Sequence, residues 1–357
     1  MPSPGVPPPA RPARPGELPV SVPLRPLDQQ VVVITGASSG IGLVTARRAA
    51  QRGATVVVAA RNEGAITELA EEIRASGGQA LPVVADVGKQ EDVARIAAAA
   101  LAEYGRFDTW VNNAGVSIFG EIPDVSIEDM HRVMDTVYWG VVHGCLQAVE
   151  HYRARGEAGA MVNVGSLFGD RSTPIQSTYA SAKHAVHGFT DALRVELEHE
   201  RDPISVTLVH PGRIDTPYNE HAQAYTAAQP AHRGMVYPPE AVADAILGAA
   251  ARPVRDVYVG AQAKAVQLAG ALLPRTVDKI MSWYMWPTQL DPHRKAVPRE
   301  GSALWHAGYG GQERGSHVGW HRRGSWTVAG TIHPVRTLAG GAATAALGLL
   351  SLRLLRR

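Results

Sequence analysis

A chain of 357 residues, 45% of them hydrophobic, exceeds one average domain and carries enough apolar side chain for a single large α/β domain with extra segments at its ends. Its single cysteine, Cys145, excludes an internal disulfide and a cysteine-based zinc cage, and points to an intracellular or at least disulfide-independent protein. A formal net charge of +2 and the lack of a nucleic-acid-binding motif argue against a nucleic-acid partner, although residues 292–357 hold ten Lys/Arg against two acids.

Residues 1–29 contain ten prolines and no hydrophobic period, so an extended, solvated leader is expected there. It lacks the apolar stretch of a secretory signal. From Gln30 the pattern changes to β-branched runs alternating with helical periods. Strands are predicted at Val31 to Ile34, Thr55 to Val58, Ala80 to Val84, Thr109 to Val111, Gly159 to Val164, Ile204 to His210 and Asp256 to Val259. Helices are predicted near Ile41 to Arg52, Glu63 to Ser76, Lys89 to Tyr104, Ile127 to Arg155, Tyr179 to Glu200 and Pro239 to Ala250. Such alternation implies a doubly wound parallel sheet of about seven strands, Rossmann-like, with helices on both faces and ligand at the carboxyl ends of the strands.

The first strand runs into Thr35-Gly36-Ala37-Ser38-Ser39-Gly40-Ile41-Gly42. Close backbone approach to a pyrophosphate and a positive helix end are both available there, with Gly36 for the tight turn, Gly40 for the approach and Gly42 for helix packing. Ala60, at the end of the second strand, is not the acid that would bind a ribose diol, and Arg61 follows it. A guanidinium at that place favours NADP(H) over NAD(H), because it can pair with a 2′-phosphate; the plainer reading is a surface arginine. Asp86 and Val87 close the third strand, where a carboxylate can accept from an adenine amino group. Asn113, Ala114 and Gly115 follow the fourth, beside the cofactor ribose.

Tyr179 and Lys183 lie four residues apart on one helix face. A free phenol has a pKa of about 10, so work near pH 7 needs about 4 kcal/mol of extra phenolate stabilisation. A cation about 5 Å away at an effective dielectric near 20 supplies about 3 kcal/mol, and a positive nicotinamide ring adds the rest. Ser166, just past an apolar strand, offers a hydroxyl to hold the substrate oxygen.

These residues together resemble the short-chain dehydrogenase/reductases over about residues 30–260: the TGASSGIG run at Thr35, NNAG at Asn112, Ser166, YASAK at Tyr179 and HPGRIDT at His210 occur in that family's order. The resemblance implies that Tyr179 is the acid/base, that Lys183 lowers its pKa and holds the nicotinamide ribose, and that Ser166 steadies a substrate carbonyl. It further implies that Pro211, Gly212, Ile214 and Thr216 contact the nicotinamide end, and that the chain assembles as a homodimer or homotetramer. The chain departs from the family where Val137 stands in place of an asparagine that relays protons. A water held by backbone, or the hydroxyl of Thr136 or Tyr138, is the expected substitute.

The loop from Pro217 to Tyr237 is expected to cover a small alcohol or carbonyl substrate, and its histidines are too scattered for a metal site. Residues 261–290 are expected to form a helical cap on the substrate side, 291–336 a loose linker, and 337–357 an apolar and basic tail. That tail is marginal for a membrane span, so a cytoplasmic protein with membrane-surface contact through it is the expectation. Two other functions compete with an NADP(H)-dependent carbonyl/alcohol oxidoreductase. A non-catalytic NADP(H)-binding sensor or scaffold would need only the glycine loop, and a Rossmann-like methyltransferase leaves the Tyr179/Lys183 pair unexplained.

Overall fold

The structure, a computed structural model, describes residues 22–317 and 319–332. Seven parallel strands form its centre: β1 (Val31–Thr35), β2 (Thr55–Ala60), β3 (Ala80–Val84), β4 (Thr109–Asn112), β5 (Gly159–Val164), β6 (Ile204–Pro211) and β7 (Asp256–Val259). Their spatial order is β3-β2-β1-β4-β5-β6-β7, so the chain reverses direction across the sheet between β1 and β4. The crevice at that switch point opens at the carboxyl ends of the strands. Continuous Val/Ile runs suit these strands because both faces are covered; β1, β4, β5 and β6 are buried along their whole length.

One face packs against α1 (Gly40–Gln51), α2 (Glu63–Ala75) and α7 (Pro239–Ala251), the other against α3 (Gln90–Tyr104), α5 (Gly140–Arg155) and α6 (Ser177–Glu200). Local chemistry sets several helix ends. The Asn62 side chain accepts from the Ala65 amide at the start of α2, and left-handed Gly105 and Gly156 end α3 and α5. The helix expected from Ile127 to Arg155 is interrupted. After α4 (Ile127–Met134) a π-helical turn spans Asp135–Trp139 before α5 begins, and it contains Val137.

Residues 261–290 form α8 (Ala261–Leu272), α9 (Pro274–Ile280), a π turn over Met281–Met285 and the short α10 (Trp286–Thr288). Val277, Met281 and Met285 turn inward and pack with Phe168 and the Tyr179 ring.

The segment expected as a loose linker differs from that expectation throughout its described part. Leu290–Lys295 pairs antiparallel with Ala228–Pro230, Leu304 is fully buried, and α11 (Trp326–Ile332) sets Val328 and Ile332 into the core. The segment has no period because single anchors and backbone hydrogen bonds hold it, not an amphipathic face. The inner end of the proline-rich leader is likewise held: Arg25 pairs with Asp108 at 3.4 Å and with Glu157 at 2.8 Å. Among the described residues no helix is long and apolar enough to cross a membrane, and the tail 337–357 lies outside them.

Candidate active site

The glycine turn after β1 is sterically determined. Gly36 has φ +67° and Gly40 φ +53°, and a Cβ on Gly42 would sit 2.2 Å from the Gly36 carbonyl oxygen, so α1 touches the loop only without a side chain there. Asn113 staples β4 to this turn, its Nδ2 donating to the carbonyls of Thr35 (2.9 Å) and Gly36 (3.2 Å), while the Thr35 hydroxyl accepts from the Asn113 amide. Asn113 thus holds the loop as well as bordering the cleft.

A single elongated cleft runs from this turn to the carboxyl ends of β5 and β6. It is bordered by Ser38, Ser39, Ile41, Arg61, Asp86, Val87, Ala114 and Gly115 at one end and by Ser166, Tyr179, Lys183, Pro211, Gly212, Ile214 and Thr216 at the other. Of the residues expected to bind the cofactor or to catalyse, Gly42 alone lies behind the lining. The residues fit a dinucleotide: a cradle that admits no Cβ at Gly42 and a helix amino terminus at Gly40 suit a pyrophosphate, and the far end holds the reactive side chains.

At that far end Tyr179 and Lys183 project from the first turns of α6, with the Lys183 Nζ 5.8 Å from the Tyr179 ring centre. Lys183 is buried and Tyr179 half-buried. Burial raises the Tyr179 phenol, against the lowering effect of hydrogen bonds with Ser166 and Tyr218; burial brings the Lys183 ammonium down to about 8. The ammonium donates to the Val164 carbonyl at 2.7 Å, which fixes it at the end of β5. The Ser166 hydroxyl accepts from the Phe168 amide at 3.0 Å and is thereby aimed at the phenol side of the loop.

Val137 is fully buried in an apolar cluster with Val116, Val133 and Leu304 and reaches Tyr179 only through packing. Of its proposed substitutes, Tyr138 packs on Trp139 and Phe189, whereas Thr136 borders the cleft with a buried hydroxyl that has no protein partner.

The nucleotide end holds a feature that composition concealed. Residues 299–316 lie across it as a strap. Ala303, Ala307, Gly308 and Tyr309 border the cleft, Gly40 donates to the Gln312 carbonyl at 2.8 Å, and Gly311 donates to the Ser38 carbonyl at 2.9 Å. Arg61 does not lie free at the surface: its guanidinium donates to the Leu304 carbonyl at 3.1 Å and to the Ala303 carbonyl, and burial lowers its pKa. Asp86 is occupied too, receiving Arg132 at 2.5 Å, and Arg132 donates through Nε to the Leu304 carbonyl. The strap thus borders the cleft and occupies the Gly40 amide, which can reach a pyrophosphate only when the strap shifts.

Comparison with known proteins agrees with this geometry. The short chain dehydrogenase family profile matches residues 30–226. An uncharacterized oxidoreductase, YxnA, from Bacillus subtilis is 58% identical over 317 residues, covering 88% of this chain and 89% of that protein. A putative oxidoreductase, SadH, from Mycobacterium tuberculosis is 34% identical over 260 residues, 71% of this chain and 94% of the relative. Among solved structures, a short chain dehydrogenase/reductase from Burkholderia phymatum in complex with NAD superposes with a TM-score of 0.63 at 27% identity over 72% of this chain and 96% of its own. A 3-ketoacyl-(acyl-carrier-protein) reductase from Brucella melitensis complexed with NADH gives 0.56 at 27% identity, covering 65% of this chain and 97% of that structure. With the crossover order, the glycine turn and the Tyr179/Lys183 pair in place, the chain belongs to the short-chain dehydrogenase/reductase family of oxidoreductases.

Proposed function

We propose that this protein interconverts a carbonyl and a secondary alcohol with NADP(H), Tyr179 exchanging the proton at the substrate oxygen. The observation that carries this reading is the half-buried Tyr179 phenol, which shares the far end of the cleft from the glycine turn with the Ser166 hydroxyl and the Lys183 ammonium. Bound dinucleotide would supply or accept the hydride. The chain's own residues do the rest. Ser166 orients the substrate oxygen toward the phenol; Tyr179 gives its proton in reduction and takes one in oxidation; Lys183 favours the phenolate and stands ready for the nicotinamide ribose hydroxyls. Gly36, Ser38, Ser39, Gly40 and Ile41 receive the pyrophosphate end, and Pro211, Gly212, Ile214 and Thr216 the nicotinamide end.

The preference for NADP(H) rests on Arg61. Two of its five N–H groups serve the strap carbonyls, which leaves three in a fixed orientation for a 2′-phosphate. A charge-assisted pair of this kind contributes about 1.5–3 kcal/mol. Arg61→Ala is therefore expected to weaken NADPH binding by at least about tenfold and to leave NADH binding within about threefold, as read by fluorescence titration. Equal loss for both nucleotides would remove the assignment.

For the relay we assign the Thr136 hydroxyl, the one buried hydroxyl of the π turn left without a protein partner. Thr136→Val should lower kcat about tenfold or more, on the scale of lost proton-transfer help, without changing nucleotide affinity, and Thr136→Ser should restore it. An unchanged kcat in the valine variant would leave bulk water as the relay. We extend the reading to a homo-oligomer built through α5 and α6, whose outer faces leave Leu146 and Val195 exposed, with Trp139 exposed on the π turn just before α5.

A further inference from the structure

Behind the loop that carries Ser166 lies a buried polar chain that the reaction does not use directly. The loop Gly165–Gly169 wraps around the imidazole of His187 on α6. A Cβ on Gly165 would come 2.5 Å from His187 Nε2, and a Cβ on Gly169 2.4 Å from the same atom. Both glycines are therefore where they are so that the ring can sit inside the turn.

The ring is held at both of its nitrogens. The Ser166 amide points at His187 Nε2 at 3.4 Å, and His187 Nδ1 faces Asp170 Oδ1 at 3.3 Å. The other Asp170 oxygen meets His210 Nδ1 at 2.8 Å, and His210 Nε2 faces Asp256 Oδ1 at 3.4 Å. One set of protonation states satisfies every contact. Ser166 N–H donates to Nε2, so His187 is neutral with its proton on Nδ1, which donates to Asp170. His210 lies between two carboxylates and donates to both, which makes it an imidazolium.

The neighbours agree with that assignment. His210 is faced by Asp170 from the Ser166 loop, by Asp256 from β7 and by His187 from α6, and it stacks on the Tyr258 ring at 4.2 Å. Arg194 and Arg255 flank Asp256 on its outer side. The two carboxylates raise His210 against the opposing effect of its burial, while His187, beside the Lys183 ammonium, is pushed down by burial.

We propose that His187, Asp170 and His210 form a positioning relay that fixes the Ser166 loop from behind, with Asp256 as its outer anchor. His187 is the member in contact with the loop, so the alignment of the Ser166 hydroxyl with the Tyr179 phenol depends on a side chain that touches neither substrate nor cofactor. The same three residues bring ligand atoms within 4.8 Å of one another, as a metal site would. In the arrangement inferred here their hydrogen bonds account for those atoms without an ion.

This rests on reading Ser166 as the holder of the substrate oxygen, so the test has one arm that needs no activity. In the wild-type protein labelled with 15N-histidine, His210 should show both ring nitrogens protonated near pH 7, and His187 a single proton on Nδ1. A His187 proton on Nε2, or stoichiometric binding of added Zn2+ by the wild-type protein that displaces these protons, would overturn the relay whatever the catalytic chemistry. In the second arm His187→Phe, which keeps a ring in the turn but no acceptor, should lower kcat at least about tenfold with nucleotide affinity within about threefold of wild type. His187→Gln, able to accept from Ser166 and donate to Asp170, should recover most of that loss. A phenylalanine variant with full kcat would overturn the proposal, and an inactive wild type with the expected histidine protons would instead overturn the function of Ser166.

Discussion

Tyr179→Phe is expected to reduce kcat by about a thousandfold or more while NADPH binding stays within about threefold. Deleting the hydroxyl removes the group proposed to exchange a proton at the substrate oxygen, and general acid–base help of this kind contributes about 10²–10⁴ in rate. The ring itself remains useful. It packs with Phe168, Met281 and Met285 beneath the cap and contacts the Tyr218 ring at 5.8 Å, so phenylalanine keeps the fold and the cleft wall. The two reaction directions should respond to pH with opposite signs. Reduction needs the protonated phenol, which burial favours, so its rate should hold through neutral pH and fall on the alkaline side. Oxidation needs the phenolate, so its rate should rise with pH, and the rise should weaken above about 8, where Lys183 begins to lose the charge that supports the phenolate. Steady-state rates in both directions against a panel of carbonyls and alcohols measure this. A phenylalanine variant that turns over at the wild-type rate would leave only a nucleotide-binding protein, the competing sensor or scaffold reading.

The central sheet was legible because its signals are local. Each of the seven strands carries its own β-branched run, and the glycine turn is a short contiguous word whose meaning is steric. Tyr179 and Lys183 were legible for a similar reason, since a spacing of four on a helix places two side chains on one face. The relay behind Ser166 was not. His187 and His210 sit in motifs that draw attention to their neighbours, and Asp170 joins them only through folding, at sequence distances of 17 and 40 residues. Gly165 and Gly169 on either side of Ser166 were the available hint, because two glycines around a serine ask for something large behind the turn. The interruption at Asp135–Trp139 was hidden as well, since a π turn keeps the backbone helical and this one contains no glycine or proline to mark it.

The strap was illegible for a different reason. Gly, Arg, His and Trp without period read as unstructured chain, yet in the fold several of its polar residues have dedicated partners. Asp129, fully buried, receives both Nη atoms of Arg299 at 2.6 Å, the Trp305 indole N–H at 2.7 Å and the Tyr225 hydroxyl at 2.8 Å. Arg299 and Trp305 belong to the strap, and Asp129 to α4. One carboxylate therefore latches the strap across the nucleotide end of the cleft, and those hydrogen bonds lower its pKa against the opposing effect of its own burial.

Removing that carboxylate should loosen the strap more than it unfolds the domain. Asp129→Ala leaves the Arg299 guanidinium free to reach water, since Arg299 is nearly half exposed, and leaves the Tyr225 hydroxyl with Ser126, but takes the acceptor from the Trp305 indole and breaks the Arg299 pair, at a cost of about 1–3 kcal/mol. The parallel sheet shares none of these contacts. The strap carbonyls at Ala303, Leu304 and Gln312 meanwhile satisfy donors of Arg61, Arg132 and Gly40, so a dinucleotide must enter or leave past a segment that is itself hydrogen-bonded to the binding residues. Opening and closing of such a segment sets exchange rates in many enzymes. With the latch gone, amide hydrogen exchange over residues 303–312 should rise sharply while that of β1, β4 and β5 stays near wild type. The dissociation rate of NADPH in stopped flow should increase about tenfold or more, the amount that about 1.4 kcal/mol of lost closure supplies. An accelerated strap with an unchanged dissociation rate would show that the nucleotide passes by another route and that the segment only braces the wall.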